Sequence, residues 1–136
     1  MRHLLTWPAA LLAGSALWIS GRLWPTHEPI EAGHLLALRR TLKRQHQVVD
    51  LRPRAAFQAE HLPGSINLPL DDPGTPAALR ALWDGVCFMV PPTGADRARA
   101  EALARRARLP TVRYVEGGWP ALQAAIAVAR NQPRTP

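Results

Sequence analysis

Residues 48–69 read V-V-D-L-R-P-R-A-A-F-Q-A-E-H-L-P-G-S-I-N-L-P, and this stretch decides the fold. Val48, Val49 and Leu51 bracket Asp50 as a short buried strand that ends in an acid. Arg52-Pro53 then breaks the extended run, because proline fixes its own φ and restricts the residue before it. Pro53 suits a first helical turn, and 54–60, with Ala55, Ala56, Phe57 and Ala59, predicts one or two packed turns of helix. His61-Leu62-Pro63-Gly64 turns the chain, and 65–68 forms a second strand that Pro69 ends.

The same alternation continues outward. On the N-terminal side, Ile30, Leu35, Leu36 and Leu38 predict a helix over 30–40 that packs one face. On the C-terminal side, 71–75 is loop by composition, 76–83 a helix with Leu79 and Leu82 inward, and Asp84-Gly85 a turn. Val86-Cys87-Phe88-Met89-Val90 is a continuous apolar run, the pattern of a central parallel strand buried on both faces. A helix follows over 94–108, with Asp96 as its cap and Glu101 and Arg105 as an i, i+4 pair. Thr111 to Val115 is the last strand. Gly117 and Gly118 let it turn sharply into a closing helix that Pro120 starts and that runs to Arg130, with Trp119 as a lid on the core. Strands alternating with helices imply an α/β domain with a mostly parallel sheet covered on both faces. The expected organisation is one domain over 30–130, a short stiff linker over 25–29 and a disordered tail over 131–136.

At 136 residues and 47% hydrophobic content the chain has material for one ordinary core and no room for a second catalytic domain. Its formal net charge of +7 is carried by arginine, with Lys43 as the single lysine. Nucleic-acid binding calls for a dense basic stripe interleaved with aromatic residues, whereas only Arg39, Arg40, Lys43 and Arg44 cluster here, so no nucleic-acid partner is expected. That cluster reads as a solvated helix face drawn to anionic lipid. One cysteine excludes an internal disulfide and a multi-thiolate zinc site, and no metal or cofactor is expected. Oligomeric state is left open.

The first 24 residues are a different material. No residue from Leu4 to Gly21 is charged, while Arg2 and Arg22 flank them. As a helix this segment extends roughly 27 Å, just short of a ~30 Å hydrocarbon core. Trp7, Trp18 and Trp24 near its ends suit the headgroup level and favour an uncleaved single-pass anchor. The competing reading is a cleaved signal peptide, with Arg2 as its charged start, 4–12 as its apolar centre and Gly14, Ser15 and Ala16 as small residues. An inside amino terminus gives an extracytoplasmic, periplasmic domain, or a secreted one after cleavage. Arg22 and the Arg39 cluster pull against that orientation.

Asp50-x-Arg52 at a strand end, His61-Leu62-Pro63-Gly64 at the turn and Gly117-Gly118-Trp119 near the C-terminus occur together and in order. In this the chain resembles the rhodanese-like family over roughly residues 30–130. The resemblance implies a three-layer α/β fold and the chemistry of a sulfurtransferase. It also implies where that chemistry sits, since ligands of open α/β sheets bind beyond the strand ends. Active members begin the loop after the central strand with a cysteine, in a pattern like C-x-x-G-x-R.

Here that loop is Pro91-Pro92-Thr93-Gly94-Ala95-Asp96-Arg97. Counting back from Gly94 puts the nucleophile at Pro91, and counting back from Arg97 puts it at Pro92. Both lack a sulfur, and sulfur transfer needs one that can make and break an S–S bond. Thr93 forms no persulfide, and the loop offers no base to activate its hydroxyl. Two prolines also remove up to two N–H donors, which at about 1.5–3 kcal/mol each for a charged acceptor weakens an anion cradle by about 3–6 kcal/mol. Asp96 brings its own carboxylate to the helix start, so the site reads as self-capped. Cys87 is four residues earlier, about 13 Å along the strand, in apolar surroundings that raise a thiol's pKa. Arg97 reads as a solvated helix-face residue, His61 as a structural hydrogen bond within its turn, and Asp50 with Arg52 as a local pair. The chain is therefore expected to be an inactive rhodanese-like domain, membrane-tethered and acting by binding an unidentified protein. The alternative is a thiosulfate or persulfide sulfurtransferase using Cys87 or a partner's thiol.

Overall fold

The computed structural model describes residues 26–41, 46–82 and 85–133. In chain order the elements are β1 (Thr26–Ile30), α1 (Ala32–Arg39), β2 (His46–Asp50), α2 (Arg54–Ala59), β3 (Ile66–Asn67), α3 (Thr75–Leu82), β4 (Val86–Val90), α4 (Arg97–Arg106), β5 (Thr111–Val115) and α5 (Gly118–Asn131). A single 3-10 turn, Gly94–Asp96, precedes α4. The strands form one sheet in the order β1-β5-β4-β2-β3, and each neighbouring pair is parallel.

Period-two alternation divides the core into two layers. Val49, Cys87, Met89, Val112 and Tyr114 face one side, where Leu79 of α3 and Ala100, Leu103 and Ala104 of α4 cover them. Val48, Phe88, Val90 and Val115 face the other, against Leu35 of α1 and Trp119 and Leu122 of α5. Both faces of β4 are buried, as its unbroken apolar run requires. The fold is thus α/β with a parallel sheet between helical layers.

Several boundaries differ from the sequence expectation: β3 is only Ile66–Asn67, and α5 starts at Gly118, before Pro120, and takes in Asn131 of the expected tail. The stretch expected as a linker, 25–29, is largely β1, an edge strand in register with β5 from Thr26↔Thr111 to Ile30↔Val115. Thr26 N donates to Pro110 O (2.7 Å) and Glu116 N to Ile30 O (2.9 Å). Pro29 is tolerated because an edge strand has only one ladder to satisfy. Ile30 consequently belongs to the strand, and α1 starts at Ala32. The helix expected over 94–108 is divided into the 3-10 turn and α4, and ends where Arg108 takes a left-handed φ of 56°.

The N-terminal segment 1–24, Lys43 and Arg44 of the basic cluster, Trp83 and residues 134–136 lie outside the described residues. Among the described residues no helix is long and apolar enough to cross a membrane.

Candidate functional site

β4 hands the chain to α4 on one face of the sheet, while its neighbour β5 hands it to α5 on the other. Loops that diverge in this way open a crevice at the strand ends, the place where parallel sheets bind ligands. Residues 91–97 and the Glu116–Gly118 turn form its two walls, and in this chain the walls touch.

The contact is backbone against backbone. Trp119 N donates to Pro91 O at 2.9 Å. Gly118, at φ 66°, is so close to the opposite loop that a Cβ there would sit 2.6 Å from Pro91 O and 2.8 Å from Thr93 C. Gly117 Cα is 3.3 Å from where a Cβ on Gly94 would be. Both glycines of the Gly117-Gly118 pair have positive φ, so the sharp turn and the close approach require the same residue type.

The loop then closes on itself. Pro91 and Pro92 contribute no N–H, and Thr93 N donates to Asp96 Oδ2 at 3.1 Å. The Thr93 hydroxyl donates to the same oxygen at 2.8 Å. Asp96 N returns to Thr93 O at 3.1 Å, and Arg97 N to Gly94 O. Asp96, expected to cap the helix, stands at the N-cap of α4 without a side-chain bond to it; its carboxylate instead closes a reciprocal cap on the 3-10 turn, with Thr93 at the cap position and Asp96 as its third-position partner. Only Gly94 and Ala95 remain as loop N–H groups to face an anion, and the Asp96 carboxylate stands beside them. Arg97 turns away to Glu101 (Nε to Oε1, 2.9 Å), with its guanidinium 6.0 Å from the Tyr114 ring centre. The anticipated Glu101–Arg105 pair is the longer one, 3.9 Å. Arg99 bridges Asp71 and Asp96, which ties this loop to the one before α3.

Asp50 and Arg52 pair as expected and do more. Arg52 Nη2 donates to Asp50 Oδ2 at 2.8 Å, and Nε and the backbone N reach Oδ1 at 3.0 Å. The same guanidinium donates to the carbonyls of Glu60 (2.6 Å) and Ala56 (3.3 Å), closing the end of α2. It stacks on Trp119 at 3.6 Å from the ring centre, so both charges are buried with full partners. His61 Nδ1 lies 2.8 Å from Phe57 O with its ring stacked on Phe57, so its hydrogen bond reaches back to α2 instead of lying within the turn. α2 has no fully buried residue, so this stacking takes the place of a packed face. Pro63 and Gly64 form the turn itself, and Arg39 donates to Pro63 O.

Two contributors carried no local sequence signal. Asn67 at the end of β3 donates its amide to Asp50 O (3.1 Å) and Arg52 O (2.8 Å), clamping the β2 exit. Tyr114 buries its hydroxyl under α4 with no hydrogen-bond partner among the described residues, and burial pushes its pKa up.

Cys87 lies near the start of β4, at the opposite end from the loop. It is 5% exposed, among Val49, Leu79 and Leu109, and burial pushes its thiol up to about 12. Among the described residues no group of three or more His, Cys, Asp and Glu could hold a metal ion.

Comparison with known proteins agrees with this architecture. The family model of the rhodanese-like domain matches residues 34–125. A rhodanese-like domain from Anabaena superposes with a TM-score of 0.60 at 19% identity, covering 79% of this chain and 86% of that one. A single-domain sulfurtransferase from Saccharomyces cerevisiae gives 0.60 at 18%, covering 80% and 96%. A Rhodopseudomonas palustris protein of unknown function, described as a possible tyrosine phosphatase, gives 0.59 at 24%, covering 72% and 80%. No curated protein matches the chain in sequence. At these identities the superpositions speak for the fold alone.

Proposed function

Because the chain belongs to the rhodanese-like family, whose sulfurtransferase chemistry needs a carrier sulfur, we propose that it is a catalytically inactive member that acts by binding. In this reading it is held at a membrane by its N-terminal segment, with the domain on the extracytoplasmic side, and serves as a scaffold or regulatory partner of another protein. One observation carries the proposal. The loop where a carrier cysteine would begin holds Pro91 and Pro92 at both possible registers, and its remaining hydrogen-bonding capacity turns inward through Thr93 and Asp96.

The alternative, sulfur transfer through Cys87, takes support from the fold shared with the yeast sulfurtransferase. Against it stand the burial of the thiol and its raised pKa, which leave almost no thiolate near neutral pH. A strand-length separation of about 13 Å from the loop adds to this. Purified chain incubated with thiosulfate and cyanide is expected to form no thiocyanate above the protein-free rate. Turnover that disappears in Cys87→Ala would establish the alternative and end the inactive reading.

A further inference from the structure

Among the described residues, arginines without an acidic partner gather mainly at one end of the strand axis, with Arg54 at the start of α2 as the exception at the other end. Because the strands are parallel, they share one pole where they start and another where they end. α1, α3, α4 and α5 each follow a strand or its exit loop and run back toward the starting pole. Their last residues bring Arg39 and Arg40, Arg80, Arg105, Arg106, and Arg130 there, and Arg108 lies just beyond α4. Contacts confirm the grouping. Arg80 donates to the Ala107 and Arg106 carbonyls at the end of α4. Arg39, Arg40 and Arg130 rim an open groove of about 530 Å³ that includes Leu36, Leu62 and Ile126.

The described acids lie elsewhere. Glu31, Asp50, Asp96 and Glu116 stand at or beyond strand ends, Asp71 and Asp72 precede α3, and Glu60 is held by Gln123 in the second turn of α5. Glu28 and Glu101, along the sides, are paired with Arg113 and Arg97. Arg40, Arg106, Arg108 and Arg130 are exposed and make no ion pair with a described carboxylate.

The chain enters the fold at this same pole. Thr26 opens β1 next to Pro110, and the uncharged residues 4–21 end only four residues before it. We propose that the arginine pole is a docking surface for an anionic lipid bilayer, which holds loop 91–97 on the side of the domain facing away from the membrane. The proposal rests on the reading of residues 4–21 as a membrane anchor and adds the surface against which the domain then lies. Lipid fits better than nucleic acid because Arg39, Arg40 and Arg130 surround apolar side chains in this groove, and no aromatic residue lines it for base stacking. Each arginine near a charged headgroup strengthens association on the order of fivefold, and the effect extends over a Debye length.

The test uses the full chain in a Cys87→Ala background, with a fluorescent donor placed at Arg106→Cys or at Thr93→Cys. It is mixed with vesicles of phosphatidylcholine, with or without phosphatidylglycerol, that carry an acceptor lipid. The two positions are separated by about the length of α4, roughly 15 Å. On anionic vesicles, energy transfer from position 106 is expected to exceed that from 93. The difference should shrink in molar salt, where the Debye length is about 3 Å, and after Arg40→Glu, Arg105→Glu and Arg130→Glu together. Equal transfer from both positions, or a difference that survives the triple reversal, overturns the proposal. So does duplex DNA binding that the reversal abolishes while vesicle behaviour stays unchanged. Flotation reads the anchor separately. A chain that floats only with anionic lipid and keeps the transfer difference removes the anchor and retains the docking surface, whereas one that floats with neither removes both.

Discussion

Replacing Gly118 by alanine tests whether the two walls of the crevice are held in direct backbone contact. Two effects combine at this residue. A φ of 66° costs an L-residue about 1–2 kcal/mol. The added methyl would also lie 2.6 Å from Pro91 O and within 3 Å of Thr93 C and Cα, backbone atoms that move only if the loop moves. Carbon–oxygen contacts normally settle near 3.3–3.6 Å, so the loop must retreat by about an ångström. Overpacking of that kind costs about 1–3 kcal/mol. The sum is about 2–5 kcal/mol, a large share of the roughly 5–15 kcal/mol that separates folded from unfolded domains. With a urea dependence of about 1–3 kcal/mol per molar, the unfolding midpoint should fall by roughly 0.7–5 M. Gly33→Ala in α1 is the control, since its Cβ meets nothing nearer than 3.8 Å and φ there is ordinary. It should leave the midpoint unchanged or raise it slightly. Equal midpoints for Gly118→Ala and the parent chain would refute the contact.

Three further outcomes follow from the packing. Asp50→Ala leaves the Arg52 guanidinium buried against Trp119 without its carboxylate, and urea unfolding should show a loss of about 3–5 kcal/mol. Asp96→Ala removes the acceptor of Thr93 N and its hydroxyl, and should cost about 0.5–2 kcal/mol in the same measurement. The Cys87 thiol is raised from 9.0 to about 12 on folding, so its contribution is complete below pH 9 and is lost as pH rises toward 12. Stability should decline over that window and decline less in Cys87→Ala. Tyr114, also raised by burial, keeps part of the slope in the variant, and an identical slope in the two chains would contradict the burial of the thiol.

Much of this fold is written locally. The break at Arg52-Pro53, the turn at Pro63-Gly64 and the five apolar residues of β4 each force their conformation through neighbours in sequence, and the elements they predict are present. β1 was illegible because T-H-E-P-I has neither strand composition nor a clean alternation. It becomes a strand only through pairing with β5, some 85 residues away. The site divides in the same way. Residue types alone revealed the prolines of the loop and the Asp50–Arg52 pair. The stacking of Arg52 on Trp119, the Asn67 clamp and the contact of Gly118 with Pro91 join distant segments, and no local pattern encodes them. The glycine pair announced a sharp turn, but not that the turn would seal the crevice.

In the proposed reading the scaffold persists while the sulfur-carrying step is absent. Intact-mass measurement of the purified chain after incubation with thiosulfate, and separately with a persulfide donor, tests it most directly. An unchanged mass is expected with both donors. A gain of one sulfur atom per chain that is absent from Cys87→Ala would contradict it.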